Sequence, residues 1–406
     1  MTDAHYAFAI IGAGPAGTTC ANALARDGAA SVVLIDRERF PRDKICGDGI
    51  GPGVIAILDT LGLADILNGH RRVAKMAMTS PLGGRMALDA TEITRRSPLG
   101  YVIPRITFDH ALLAAALRRG STDMTGWGLE TATRADERWH LTLAQSDTGE
   151  TRTITADVLI GADGASSRVR RLLGERFNRD KHVSIAIRVM AKSDPPLPAR
   201  QELNVVDGLP VPGYGWIFCT GSGTVNVGIG CDIPAYKAQT HHLKQLLEVY
   251  KDFLPDPLTY DPKTCRTSIL PLASQMPRLA FPDKAAALIG DAASMINPLT
   301  GEGIFYGMEA GVQLGRALAA AQNGHGTVAG ALADYERQFR RTFTPHFRGN
   351  FYLRKFIQKP VLLERMVTAC SKSTDLCCDY IEYMMGNESG VGTKPLYRLA
   401  LNTVFS

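Results

Sequence analysis

The chain has 406 residues, 45% of them hydrophobic and 21% charged, with 40 glycines; this bounds it to two or three domains, or one large two-lobed fold, with ample material for a core. A net charge of +5 falls well short of a nucleic-acid binder's footprint, so no nucleic-acid partner is expected. Eight cysteines without a C-x-x-C pair or paired histidines argue against a zinc site, and no metal is expected.

In chain order, the opening MTDAHYAFAIIGAG lacks a basic segment ahead of its apolar run. The run leads straight into a glycine turn, so it reads as a core strand and not as a signal peptide. Cytoplasmic location and free thiols are expected. No apolar run approaches the roughly 20 residues of a spanning helix. Residues 6–11 read as a buried parallel strand, 18–26 as a helix and 31–35 as a second strand, which makes one βαβ unit. Residues 108–119 read as a helix, and 153–160 as a strand ending in G-A-D-G. Residues 182–190 and 224–230 have β character between turns and imply a mostly antiparallel sheet, to which 76–88 adds strands. The α/β pattern returns with an apolar run at 285–289 and a helix at 304–321. From about residue 340 the tail reads as helical and basic, with Phe343, Phe347, Phe351, Tyr352 and Phe356 among arginines and lysines.

The stretch Gly12-Ala13-Gly14-Pro15-Ala16-Gly17 fits G-x-G-x-x-G between a strand and a helix. Gly12 permits the tight turn, Gly14 lets backbone approach a pyrophosphate, and Gly17 lets the helix pack on the strand. The helix start, at Pro15 and Ala16, then turns its amides and dipole to the phosphates. Asp36, 19 residues after Gly17, stands where an acid must bind ribose hydroxyls, with Arg37 beside it. An acid there argues for an unphosphorylated ribose.

A second motif follows an apolar strand: Gly290-Asp291, then Pro298, Gly301, Gly303 and Ile304. Asp291 suits ribityl hydroxyls, and the glycines admit backbone amides to a flavin ring. The next helix aims its N-terminal dipole where reduced flavin carries negative charge. Together the motifs read as FAD. The expected fold is α/β: a Rossmann-type FAD-binding domain (residues 1–75, 101–175 and 281–340) with an inserted, mostly antiparallel β-sheet substrate domain (76–100 and 176–280) and a C-terminal helical region (341–406).

Four stretches make the chain resemble the geranylgeranyl reductase family, within flavoproteins similar to p-hydroxybenzoate hydroxylase. They are the run from Pro41 to Gly49 with Cys46 inside it; Asp163-Gly164 followed by Ser167-Arg168; Tyr214-Gly215-Trp216-Ile217-Phe218 followed by Gly228-Ile229-Gly230; and the Gly290–Gly303 motif. Arg105 and Asp109 fit the family's Arg-x(3)-Asp pattern. The resemblance covers roughly residues 6 to 320 and is nearest in look to polyprenyl and menaquinone side-chain reductases. It implies FAD contacts at Ala16, Asp36, Cys46, Gly47, Gly49, Arg105, Asp291, Gly303 and Ile304, with Asp163-Gly164 behind the pyrophosphate. It implies that Tyr214, Trp216 and Phe218, which alternate and so share one strand face, wall the flavin and an apolar pocket. Cys46, beside Arg42 and Lys44, reads either as a reactive thiol whose pKa the nearby charge lowers or as a buried inert thiol. One departure is Cys219, where the family has proline; Pro210 and Pro212 flank the place of another.

The resemblance implies a reductase that delivers hydride from FADH2 to an isoprenoid C=C, with Cys46, Tyr214, Trp216 and Phe218 at the reaction and a proton from a nearby donor. The alternative is a monooxygenase working through a flavin hydroperoxide on a prenylated or aromatic substrate. A halogenase is less favoured, since the W-x-W-x-I-P stretch is absent; a non-enzymatic flavin chaperone fits poorly with an aromatic substrate strand. There is no second dinucleotide fingerprint, so NAD(P)H docking transiently, or a reduced partner protein, is the expected electron source. The expected substrate is apolar or lipid-like. The basic aromatic tail reads as a packed helical cap or as a peripheral membrane contact.

Overall fold

The computed structural model describes residues 4–93, 99–255 and 258–385, with the Phe356 side chain also outside the described set. Strand Ala4–Ile11 pairs in parallel with Val32–Asp36 on one side and Thr151–Gly161 on the other. The same sheet extends in parallel to Thr122–Thr125 beyond one edge and Ala286–Leu288 beyond the other. Phe8 to Ile11 are all buried, as expected of a strand covered on both faces. The helices Pro15–Arg26 and Ile304–Gln322 pack against each other beside this sheet. The sheet therefore draws on three separated stretches of chain.

A hairpin that the sequence reading left unassigned, Trp127–Ala135 with Arg138–Gln145, joins this sheet antiparallel to the first half of Thr151–Gly161. The second sheet runs Leu258–Tyr260, Val183–Ser193, Thr224–Asp232, Gly213–Cys219, Arg200–Asn204, Lys75–Thr79 and Arg85–Asp89, with Arg266–Pro271 also on Val183–Ser193. It is antiparallel except for one parallel pair, Arg200–Asn204 with Lys75–Thr79. The architecture is the expected α/β Rossmann-type fold with a second, mostly antiparallel sheet.

The C-terminal helices are Val328–Ile357, Pro360–Ser371 and Thr374–Met385. The first begins well before residue 340. Its Phe339, Phe343 and Phe347 turn inward onto the first core, while Tyr352 faces out. The other two lay Leu363, Met366, Val367, Cys377 and Tyr380 on the second sheet, against Met76, Met78 and Met86. These three helices roof the junction of the two sheets. No helix among the described residues is long and apolar enough to cross a membrane.

Candidate active site

A cavity of about 1370 Å³ follows the junction of the sheets. Gly12, Gly14, Pro15 and Ala16 line one end of it. Gly12 has φ +110°, and a Cβ there would lie 2.2 Å from the Ala162 carbonyl oxygen, so nothing larger than glycine fits. Gly17 is not in the wall. A Cβ on it would lie 2.0 Å from the Gly12 oxygen, so its absence lets the helix seat on its own turn. Asp36 ends the second strand with its carboxylate held: Oδ2 accepts from the Ala13 amide at 2.8 Å and Oδ1 from the Glu38 amide at 2.9 Å. Arg37, Asp163 and Gly164 line the same end. Both Asp163 oxygens are occupied, by Ser167 Oγ at 2.5 Å and by the Arg168 and Val169 amides at 2.6 and 3.1 Å, which caps the helix Arg168–Leu172. Arg42, Lys44, Arg168 and Arg171 also line the cavity, among the acids Asp36, Glu38, Asp43, Glu130 and Asp163.

The loop from Pro41 to Gly49 crosses the middle of the cavity and is pinned from both sides. Arg42 and Arg105 both bind the fully buried Asp109, Arg42 Nη1 at 2.8 Å and Arg105 in a two-pronged contact at 2.6 and 2.7 Å. From the second sheet, buried Arg188 donates to both oxygens of Asp43 at 2.8 and 2.9 Å. Asn226 donates to the Cys46 carbonyl at 2.7 Å and to Asp48 Oδ2 at 2.6 Å, and accepts from Trp216 Nε1 at 2.8 Å. Asp48 holds a left-handed φ of +65°, and burial pushes its carboxyl up to about 6. Of the two readings of Cys46, its surroundings match the buried thiol. Its thiol lines the cavity, but burial pushes its pKa up, against the pull of Arg105 and of the Asp48 amide. Arg42 is turned to Asp109 instead, because a buried carboxylate needs its cation more than a neutral thiol does.

Asp291, Pro298, Gly301, Gly303 and Ile304 line the far side of the same space. A Cβ on Gly303 would come within 3.5 Å of Asp291 Oδ1, and the Pro298 carbonyl accepts from Arg354 Nη1 at 3.1 Å. Opposite stand Tyr214, Trp216 and Phe218, all in the cavity wall. The other face of their strand packs away: Ile217 and Cys219 are buried in a separate core, and a Cβ on Gly215 would strike the Tyr250 ring at 2.4 Å. The Cys219 departure thus falls outside the cavity, whereas Pro212 lines it. Gly47 lets the loop lie flush on this wall, since a Cβ there would be 3.1 Å from the Phe218 ring. The Tyr214 hydroxyl donates to the Thr300 carbonyl and so ties wall to loop. Beyond the wall the cavity becomes apolar, bounded by Met76, Met78, Met86, Tyr380, Ile381 and Met384.

The sequence matches the family model described as FAD binding domain over residues 5–344. This chain belongs to that family. It is 35% identical over 308 residues to a menaquinone reductase of Mycobacterium tuberculosis, covering 74% of each chain. It is 30% identical to a digeranylgeranylglycerophospholipid reductase of Methanothermobacter thermautotrophicus, covering 82% of this chain and 81% of the relative. In fold it matches a geranylgeranyl bacteriochlorophyll reductase-like protein of Thermoplasma acidophilum, with TM-score 0.81 and 21% identity over 98% of this chain and 99% of the other.

The protein is therefore an FAD-dependent oxidoreductase, and the cavity of this flavoprotein fits its cofactor. The helix Pro15–Arg26 opens its amide end on the cavity with no side chain over Gly14, where a Cβ would project toward Arg42 Nη2 at 3.6 Å. Sequence reasoning missed Asp43, Asp48, Arg188 and Asn226, which hold the Cys46 loop. A signal existed for two of them. Arg188 and Asn226 each interrupt an apolar β run, and both are at most 2% exposed. A polar residue in a buried strand implies a partner elsewhere.

Proposed function

We propose that this flavoprotein reduces a C=C bond of an isoprenoid chain, the hydride coming from reduced FAD. The observation that carries the reading is the cavity's continuity from the glycine turn to the apolar chamber under the C-terminal helices. A cofactor and a hydrocarbon chain then meet at the Tyr214–Trp216–Phe218 wall. The names of the two reductases above, with their isoprenoid-type substrates, support the same reading.

In this reading Gly12, Gly14, Pro15 and Ala16 hold the pyrophosphate and Asp36 the adenosine ribose, with Arg37, Asp163 and Gly164 alongside. Gly17 acts only through packing. Asp291 faces the ribityl chain, while Pro298, Gly301, Gly303, Ile304 and the Cys46–Gly49 loop border the ring, with Arg105 behind Cys46. FAD supplies the hydride chemistry when bound. The chain's own residues orient the alkene and exclude water: the aromatic wall fixes one face of the substrate, and the methionines accommodate its flexible tail. Cys46 presents a neutral thiol to this space. Electrons reach the cofactor from NAD(P)H or from a reduced partner protein. An apolar substrate of this kind resides in a lipid phase, and we place a peripheral membrane contact on the outer face of the helix Val328–Ile357.

The test is anaerobic. Reduced holoprotein mixed with a polyprenyl quinone should recover its oxidised flavin spectrum without oxygen and yield a product that stays heavier by one H2 after any quinol ring is reoxidised in air. Failure to reoxidise, together with oxygen-dependent insertion of an oxygen atom into the same substrate, would replace the reductase with a monooxygenase. Cys46→Ser in the same assay should slow the step without loss of FAD.

A further inference from the structure

Reducing an unactivated alkene requires a proton as well as a hydride, and the proton needs a source inside the enclosure. The titratable groups around the wall can be compared one by one. Both Asp48 oxygens accept hydrogen bonds, from Asn226 and from the Arg105 amide, and Asp48 does not line the cavity. The Tyr214 proton is directed to the Thr300 carbonyl. Cys46 is a weak acid made weaker by burial. Asp291 stands behind Gly303, toward the cofactor's side chain in the reading above.

Glu302 is different. It lies between Gly301 and Gly303, lines the cavity, and feels the charge state of Cys46, Arg105, Tyr214 and Tyr306. Its Oε1 accepts from the Phe305 amide at 2.8 Å at the start of the helix Ile304–Gln322, which fixes the carboxyl's orientation. Among the described residues no cation is within ion-pair distance of it, because Arg105 is doubly engaged by Asp109.

We propose that Glu302 is the proton donor of the reaction, acting through its carboxyl group at the wall of the substrate space. The inference rests on the reductase reading. One alkene carbon takes the hydride, with breakage of the N–H bond of the reduced flavin, which is oxidised. The alkene's π pair forms the second C–H bond with the Glu302 proton, and the carboxylate left behind is reprotonated from solvent. The helix amides on Glu302 favour the carboxylate; enclosure disfavours it and wins, which raises the pKa above the ordinary carboxylate value.

The experiment compares wild type with Glu302→Gln, which keeps an acceptor for the Phe305 amide. In anaerobic single turnover with a polyprenyl quinone, the variant should bind FAD normally but form the chain-reduced product, measured after any quinol ring is reoxidised in air, about 100-fold more slowly or worse. The wild-type rate should fall as pH rises through one ionisation, and the variant's residual rate should lack that dependence. A second readout needs neither cofactor nor substrate. The raised carboxyl destabilises the fold as pH rises through its folded pKa, so the Gln apoprotein should gain melting temperature over wild type at pH 8 but not at pH 4. If wild type turns over and the variant matches it in rate and pH profile, the assignment to Glu302 falls alone. If wild type does not turn over, the reductase reading falls and takes this assignment with it. If the variant does not fold or retain FAD, a flat wild-type pH profile still overturns the proposal.

Discussion

Gly12 carries two demands in one residue: a φ of +110° and backbone 2.2 Å from where a Cβ would be. Gly12→Ala must move the Ala162 carbonyl or distort the turn, at a cost on the order of 3 kcal/mol. The expected outcome is a lower melting temperature and a protein purified without visible flavin absorbance; normal yellow protein at wild-type stability would contradict it. Gly12 and Asp36 were legible because their chemistry is local, a glycine and an acid at fixed spacing around one turn. Asn226 and Asp48 were not, because the 2.6 Å contact between them joins residues 178 apart in sequence. Cys46 could be read either way for a related reason. Its neighbours in sequence are cations, but its electrostatics are set by burial and by Arg105.

At the scale of elements, the βαβ unit and the long helix after Gly303 could be read from periodicity, while the hairpin at 127–145 was passed over. Its signal was present: Trp139, Leu141 and Leu143 alternate with polar residues and are at most 4% exposed. The alternation is broken at the bulge between Leu129 and Thr131, which hides the partner strand. The helix Val328–Ile357 holds something no period reveals. His346 is buried, and its Nε2 lies 2.8 Å from Tyr306 Oη, 3.0 Å from Asn350 Nδ2 and 3.3 Å from Asn297 Nδ2. Asn297 in turn accepts from the Leu299 amide at 2.9 Å, which links the helix to the loop before Gly303. Burial pushes His346 down to about 4. The unfolded chain titrates near 6.5, so between those values it binds a proton that the fold refuses. Stability from this site is therefore complete above about pH 6.5 and is lost as pH falls toward 4, by about 3 kcal/mol in full. His346→Gln should flatten that loss in urea unfolding measured across the interval. An unchanged slope would assign the acid sensitivity elsewhere.

At the scale of the whole molecule, the interleaving of two sheets was legible from where α/β and β patterns alternate along the chain. The roof was legible only as helix, because which face turns inward depends on sheets distant in sequence. The outward face is now defined. Arg341, Pro345, Arg348, Tyr352, Lys355 and Lys359 are all exposed and recur at three- and four-residue spacing. No Asp or Glu occurs from Arg337 to Leu363, and none of Arg341, Arg348, Lys355 or Lys359 has an ion pair among the described residues. Tyr352 is 67% exposed, and Val361 on the next helix 57%. A basic stripe carrying apolar tips matches an anionic lipid surface. The stripe also adjoins the cavity, because Arg354 of the same helix and Gln358, in the turn just after it, line it. A lipid-borne substrate would then enter beside the contact. Each cation near such a surface contributes about 1 kcal/mol, so combined Arg348→Glu, Lys355→Glu and Lys359→Glu should weaken binding to phosphatidylserine-containing vesicles by roughly 100-fold or more. Wild-type binding should itself fall with added salt. Because these side chains face solvent, the variant should keep its melting temperature and its anaerobic turnover of detergent-dispersed substrate. Equal co-sedimentation of variant and wild type, or none by either, would remove the membrane contact and leave the roof as packing alone.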